Sequence, residues 1–128
     1  METTKQLNVL LVDDESDVTE LFSFALRKQS YTFRTALSGS EALEQFERQP
    51  ADILVTDIEM PGIDGLGLTR RLRADPLLAD LPIVVVSTLD RPADRLAGLE
   101  SGADAYLTKQ GLDARELVAL VYRVGGGR

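Results

Sequence analysis

The sequence predicts an α/β fold, a doubly wound five-stranded parallel sheet with helices on both faces. Three observations carry this expectation. Short apolar runs rich in β-branched residues recur without polar interruption, which is how a strand covered on both faces reads. Amphipathic stretches with helical spacing separate them, and such alternation implies a parallel sheet between two helical layers. The chain has 128 residues, about one domain. It is read as a single domain over 1–128, with a core from about 8 to 124 and 125–128, Gly-Gly-Gly-Arg, as a flexible tail.

Taken in order, the first strand is Val9-Leu10-Leu11-Val12. Tyr31 to Ala36 alternates and suits an edge strand. Ile53-Leu54-Val55 and Ile83-Val84-Val85-Val86 are the third and fourth strands, and Ala105-Tyr106-Leu107-Thr108 is a short fifth. Val18, Leu21, Phe22, Ala25 and Leu26 mark a first helix, and Ala42, Leu43 and Phe46 a second. The second opens on Ser38-Gly39-Ser40-Glu41, which has the form of a capping box. Leu66 to Ala74 is a third helix, closed by Asp75-Pro76. Pro92 suits the first turn of a fourth, which Gly102 ends. Asp113 is expected to cap a fifth, running to about Val124, with Leu117, Leu120, Val121 and Val124 as its core stripe and Val118 and Tyr122 as an i,i+4 pair beside it. Five such units take the flavodoxin-like strand order 2-1-3-4-5. Ligands then bind beyond the carboxyl ends of the strands, in the crevice between strands one and three.

Composition removes several function classes. The chain has no Cys, hence no disulfide framework, thiolate metal site or thiol nucleophile. It has no His, hence no imidazole base, His ligand or phosphohistidine of its own. Fourteen basic against 21 acidic residues give a net charge of −7. Nucleic-acid binding runs on basic residues that neutralise phosphates, so none is expected here. No apolar run approaches the ~20 residues needed to span a bilayer, and the N-terminus lacks the order of a signal peptide. A cytoplasmic protein without membrane insertion is expected.

The strand ends gather chemistry. Strand one ends in Asp13-Asp14-Glu15, strand three in Asp57, strand four in Ser87-Thr88 and strand five in Lys109, one of three lysines in the chain. Carboxylates packed together repel, which raises a pKa or demands a cation. A hard divalent cation, Mg²⁺ or Mn²⁺, suits such oxygen donors. An ionised Asp beside a cation and a Lys is arranged for nucleophilic phosphoryl transfer, giving an aspartyl phosphate.

V-D-D-E, L-V-T-D-I-E-M-P-G-I-D-G, V-V-V-S-T and G-A-D-A-Y-L-T-K, in that order from about Asn8 to Val124, resemble the receiver domain of bacterial two-component response regulators. The resemblance implies that Asp57 is the phosphoacceptor, and that Asp13, Asp14, Asp57 and the backbone carbonyl of Glu59 hold the metal. It implies that Ser87 is the switch hydroxyl, that Lys109 pairs with the phosphoryl group, and that Tyr106 turns inward on phosphorylation. It further implies a phosphohistidine donor on a sensor histidine kinase or His phosphotransfer domain. A docking face for a downstream protein target is implied around Arg95, Leu99, Val118 and Tyr122, with dimerisation of the phosphorylated form open. The product would be a switch that catalyses only its own phosphorylation and dephosphorylation. With 128 residues, its output is expected to be a protein contact.

Two positions depart from the family pattern. Gln110 follows Lys109 where receivers usually carry Pro in a cis bond. A cis bond before Gln costs ~2.5–4 kcal/mol, against ~0.5–1 before Pro, so cis and trans both stay open. Thr88 is bulkier than the usual small residue and is expected to narrow access to the phosphoryl site. These features, with the run Gly98 to Gly111, are similar to receivers fused to chemotaxis-type hybrid histidine kinases. A stand-alone receiver fits equally. The main alternative is a pseudo-receiver, the same fold used as a phosphorylation-independent binding module. A hydrolase with an aspartyl-phosphate nucleophile would want Asp in place of Glu59. A flavodoxin-type cofactor binder would want hydroxyls and amides in place of Asp13-Asp14-Glu15.

Overall fold

The computed structural model describes residues 7–15, 20, 22–24, 31–110 and 114–125. Five strands, β1 (Asn8–Val12), β2 (Thr32–Ala36), β3 (Ile53–Thr56), β4 (Ile83–Ser87) and β5 (Ala105–Thr108), form one sheet of order β2-β1-β3-β4-β5. Every pairing is parallel. The strands β3 and β4 are buried at every residue, whereas β2 is exposed at Thr32 and Thr35, as its alternating sequence and edge position require.

Register sets the strand ends level with one another. Val12 pairs with Thr56, so Asp13 and Asp57 emerge side by side. The Asp57 amide donates to Val12 O at 2.8 Å and the Asp13 amide to Ala36 O at 3.1 Å. On the other side Ser87 pairs with Thr108, and the Lys109 amide donates to Ser87 O at 2.7 Å.

Residues 20 and 22–24 are helical (α1). The rest of the expected first helix, including Val18, Leu21, Ala25 and Leu26, lies outside the described residues. Next come α2 (Gly39–Arg48), α3 (Gly65–Ala74), a 3₁₀ turn (Pro76–Leu78), α4 (Pro92–Glu100) and α5 (Ala114–Gly125). Ser38 caps α2, its hydroxyl accepting from the Glu41 amide at 3.1 Å. The return arm of the expected capping box lands one residue early, on the Leu37 amide at 3.4 Å. The helix α3 starts one residue before the sequence reading, because Asp64 caps it through the Gly67 amide at 2.7 Å. Gly102, at φ +112°, follows α4 in a conformation that favours glycine. Gly125 belongs to α5 rather than to the expected tail. Asp113, the expected cap of α5, and residues 126–128 lie outside the described residues.

Alternate strand residues feed two cores. Leu10, Val12, Leu54, Ile83 and Val85 pack with Ala42, Phe46, Leu68 and Leu72 from α2 and α3. Val9, Leu11, Ile53, Val55, Val84 and Val86 pack with Phe22, Leu117, Leu120 and Val121. The period-2 alternation of a strand thus divides the apolar runs between two helical layers.

Candidate functional site

At the carboxyl ends of β1 and β3, one carboxylate oxygen each from Asp13, Asp14, Glu15 and Asp57 lie within 4.8 Å of one another. Asp13 and Asp57 are buried, and Asp14 and Glu15 are exposed. Lys109 crosses from the end of β5 to meet them. Its Nζ lies 2.7 Å from Asp13 Oδ2, 3.2 Å from Glu15 Oε1 and 3.4 Å from Asp57 Oδ2. The sequence reading placed Asp13, Asp14, Asp57 and Lys109 in one crevice, and the structure brings them together. It adds Glu15, whose amide also donates to Asp13 Oδ1 at 2.8 Å. The signal for Glu15 was its place in the unbroken Asp13-Asp14-Glu15 run.

Four carboxylates stand against one ammonium, which leaves an excess of negative charge in the crevice. Burial, then the charge of Asp13, pushes the Asp57 carboxyl up to about 6, against the partly offsetting Lys109 and Ile58 amide. Burial alone would pull Lys109 down, but the hydrogen bond to Asp13 and the charges of Asp57 and Asp13 hold it above the ordinary lysine value. Dense hard oxygen donors with uncompensated charge are the donor chemistry that a divalent cation such as Mg²⁺ fits.

The backbone holds Asp57 in place. Its Oδ1 accepts from the Ile58 amide at 2.8 Å, and its carbonyl accepts from the Thr56 hydroxyl at 2.9 Å. The start of α3 packs directly on it. A Cβ on Gly65 would overlap the Asp57 carbonyl oxygen, and the Gly65 amide donates to Ile58 O at 2.9 Å. Gly65 supports the site through this close approach, which a glycine at a helix start hints at but does not specify.

Ser87 is fully buried at the end of β4, its hydroxyl accepting from the Leu89 amide at 3.1 Å. The Tyr106 hydroxyl donates to the Leu89 carbonyl at 2.6 Å, and the ring is only 7% exposed. The sequence reading had Tyr106 turning inward on phosphorylation. In the structure it is already inward. Gly98 of α4 leaves the ring its space, and the Arg95 guanidinium lies 5.6 Å from the ring centre. Thr88, expected to narrow access, is exposed and donates its hydroxyl to Glu59 Oε1 at 3.2 Å. Among the described residues there is no cis peptide bond, so the Lys109–Gln110 bond is trans.

The residues expected to form a docking face are spread over two layers. Leu99 is exposed on α4, on the layer of Arg95 and Tyr106. Val118 packs half-buried into the opposite core. Tyr122 is exposed on α5.

A family model described as "Response regulator receiver domain" matches residues 9–122. The sensory transduction protein RegX3 of Mycolicibacterium smegmatis is 38% identical over 117 residues, covering 91% of this chain and 50% of its own length. The chain spans half or less of the length of the first curated relatives it matches. A Chloroflexus aurantiacus structure described as that of a response regulator superposes with a TM-score of 0.91 at 38% identity, covering 97% of this chain and all of that one. The receiver domain of sensor histidine kinase PA1611 from Pseudomonas aeruginosa, with a magnesium ion coordinated in its active-site cleft, superposes with a TM-score of 0.85 at 28% identity over 95% of this chain and 99% of its own.

Proposed function

The chain belongs to the response regulator receiver domain family, and on that premise we propose that it is a phosphorylation-operated switch whose phosphoacceptor is Asp57. The observation that carries this reading is the buried Asp57 carboxylate beside the Lys109 ammonium, 3.4 Å away, inside a ring of further carboxylates. A carboxylate oxygen of Asp57 attacks the phosphorus of a phosphohistidine. The donor's P–N bond breaks, and its electron pair leaves with the imidazole. The donor in this reading is a sensor histidine kinase or a His phosphotransfer domain, as suits the receiver family.

Asp13, Asp14, Asp57 and the Glu59 carbonyl would hold Mg²⁺ or Mn²⁺, as the magnesium-bearing Pseudomonas receiver does in its own cleft. Bound there, the cation neutralises charge that develops on the phosphoryl oxygens. Lys109, fixed by Asp13 and Glu15, supplies a second positive charge on the Asp57 side. The buried Ser87 hydroxyl is one β4–β5 pairing away from the strand carrying Lys109 and supplies a hydrogen bond to the new phosphoryl group. Its movement would carry the loop Ser87 to Arg91, which Leu89 ties to Tyr106, and so bias the α4 surface around Arg95 and Leu99 toward a downstream protein. The pseudo-receiver alternative is not favoured, because the acidic crevice is complete.

Intact mass after incubation with Mg²⁺ and acetyl phosphate tests the reading. One phosphate adduct that disappears with Asp57→Ala and with EDTA is the expected result. An adduct that survives Asp57→Ala would overturn the assignment.

A further inference from the structure

Gly39 is the first residue of α2, and its own backbone does not call for glycine. The glycines with positive φ among the described residues are Gly62 and Gly102. Glycine is also a poor helix former, so the reason for it lies in a neighbour. A Cβ on Gly39 would stand 2.7 Å from the Ile63 carbonyl oxygen and 2.9 Å from the Ile63 Cβ. The first of these is a backbone atom and cannot swing aside as a side chain can. The bare backbone at residue 39 is what lets the β3–α3 loop, residues 58–64, lie against α2.

That loop carries Glu59. Ile58 and Met60 are buried in the core shared with α2 and α3, and Ile63 packs half-buried against the same core. Glu59 lies between the first two with its side chain exposed. Gly62, at φ +78°, turns the chain just before Ile63. The Gly65 amide closes the loop on Ile58 O at 2.9 Å. The stretch bearing Glu59 is thus pinned at its base by Gly65 and on its α2 side by the contact of Ile63 with Gly39.

We propose that Gly39 is a positioning residue for the divalent cation: by admitting Ile63 it fixes the path of the β3–α3 loop, and with it the Glu59 carbonyl. The proposal rests on the reading that Asp13, Asp14, Asp57 and the Glu59 carbonyl hold Mg²⁺. A carboxylate ligand adjusts by rotating about its own side-chain bonds. A carbonyl oxygen moves only with its peptide plane, so the path of the loop sets its place. A side chain at residue 39 pushes Ile63 off α2 and carries the displacement back along the loop to Glu59. Groups that orient a ligand without touching the metal are typically worth about 10–100-fold in affinity.

The test measures Mg²⁺ affinity of the full chain by NMR titration with Mg²⁺ alone, at a temperature where the variants are folded. Gly39→Ala is expected to bind about tenfold more weakly, and its metal-free amide shifts should differ from the parent across residues 58–64. Ile63→Ala loosens the same contact from the loop side and should also weaken binding. The double variant should fall well short of the product of the two losses, because both act on one contact. Phe46→Leu disturbs α2 two turns further along, in the core, and should bind within about twofold of the parent. Affinities within about twofold of the parent for both Gly39→Ala and Ile63→Ala, multiplicative losses in the double variant, or an equal loss in Phe46→Leu would overturn the positioning role and leave the metal site standing. If Gly39→Ala does not fold, Ile63→Ala and Phe46→Leu decide by the same criterion. A parent that binds no Mg²⁺ would overturn the metal site and this role together.

Discussion

Gly98 and Tyr106 share one space: a Cβ placed on Gly98 would lie 2.6 Å from the Tyr106 ring Cδ2. The buried ring lies under α4 where a larger residue would sit, and its hydroxyl reaches the Leu89 carbonyl at 2.6 Å. Gly98→Ala should gain ~1 kcal/mol of helix propensity, but overpacking costs ~1–3 kcal/mol or the ring is expelled, so the net is a destabilisation of up to about 2 kcal/mol. Urea unfolding reads the loss. Burial, the largest cause, raises the Tyr106 pKa above the ordinary tyrosine value. Ultraviolet titration of Gly98→Ala should return one tyrosine toward that value. An unchanged titration would mean the ring has kept its place.

Arg73 fastens the opposite end of the sheet. Its Nε donates to Gly102 O at 2.9 Å, one terminal nitrogen to Leu78 O at 3.3 Å, and the other to Asp104 Oδ2 at 3.0 Å. The same Asp104 oxygen accepts from the Ile83 amide at 2.8 Å. Arg73→Ala should cost about 2–3 kcal/mol in urea unfolding, and Arg73→Lys should recover less than half of it, because an ammonium cannot span three acceptors in a fork.

The raised Asp57 pKa has a definite sign in stability. The unfolded carboxyl titrates near ~3.9 and the folded one at about 6. Ionisation is therefore harder in the folded state, and the metal-free protein loses stability as pH rises through this window. Asp57→Asn removes the burden. In EDTA it should exceed the parent in stability by about 1–2 kcal/mol above pH 6 and match it near pH 4. Chemical denaturation at both pH values decides it, and equal stabilities at pH 7 would count against the shift.

Mg²⁺ should stabilise the fold by mass action, by about 1.4 kcal/mol at tenfold its dissociation constant. Asp14 is exposed, so Asp14→Asn should leave stability in EDTA within ~0.5 kcal/mol of the parent. The same variant should lose most of the Mg²⁺-dependent rise in Tm. A full rise in Asp14→Asn would remove Asp14 from the ligand set.

The strands, their order and most helix ends were legible in the chain, because each depends on cues local to a few residues. Apolar runs covered on both faces, the serine before α2 and the proline opening α4 are of this kind. Residues at strand ends were legible for the same reason, since a parallel sheet delivers all its carboxyl ends to one side. Asp13, Asp57, Ser87 and Lys109 followed from that rule alone. Local cues also misplaced small things. The return arm of the α2 capping box settled on Leu37, and α5 took in Gly125.

What the chain could not disclose are the contacts between distant loops. Glu15 meets Lys109 across 94 positions, Thr88 meets Glu59 across 29, and Tyr106 meets Leu89 across 17. None of these pairs has a periodicity or a spacing, because each distance is set by sheet register and by where a helix permits a side chain to lie. The inward position of Tyr106 shows the difference most clearly. Its burial follows from Gly98 on a separate helix, and no pattern within β5 contains that information. Sequence thus established which groups reach the crevice, through periodicity and strand-end position. Packing and register established how they are paired there, which sets the charge on Asp57 and the ties on the β4–α4 loop.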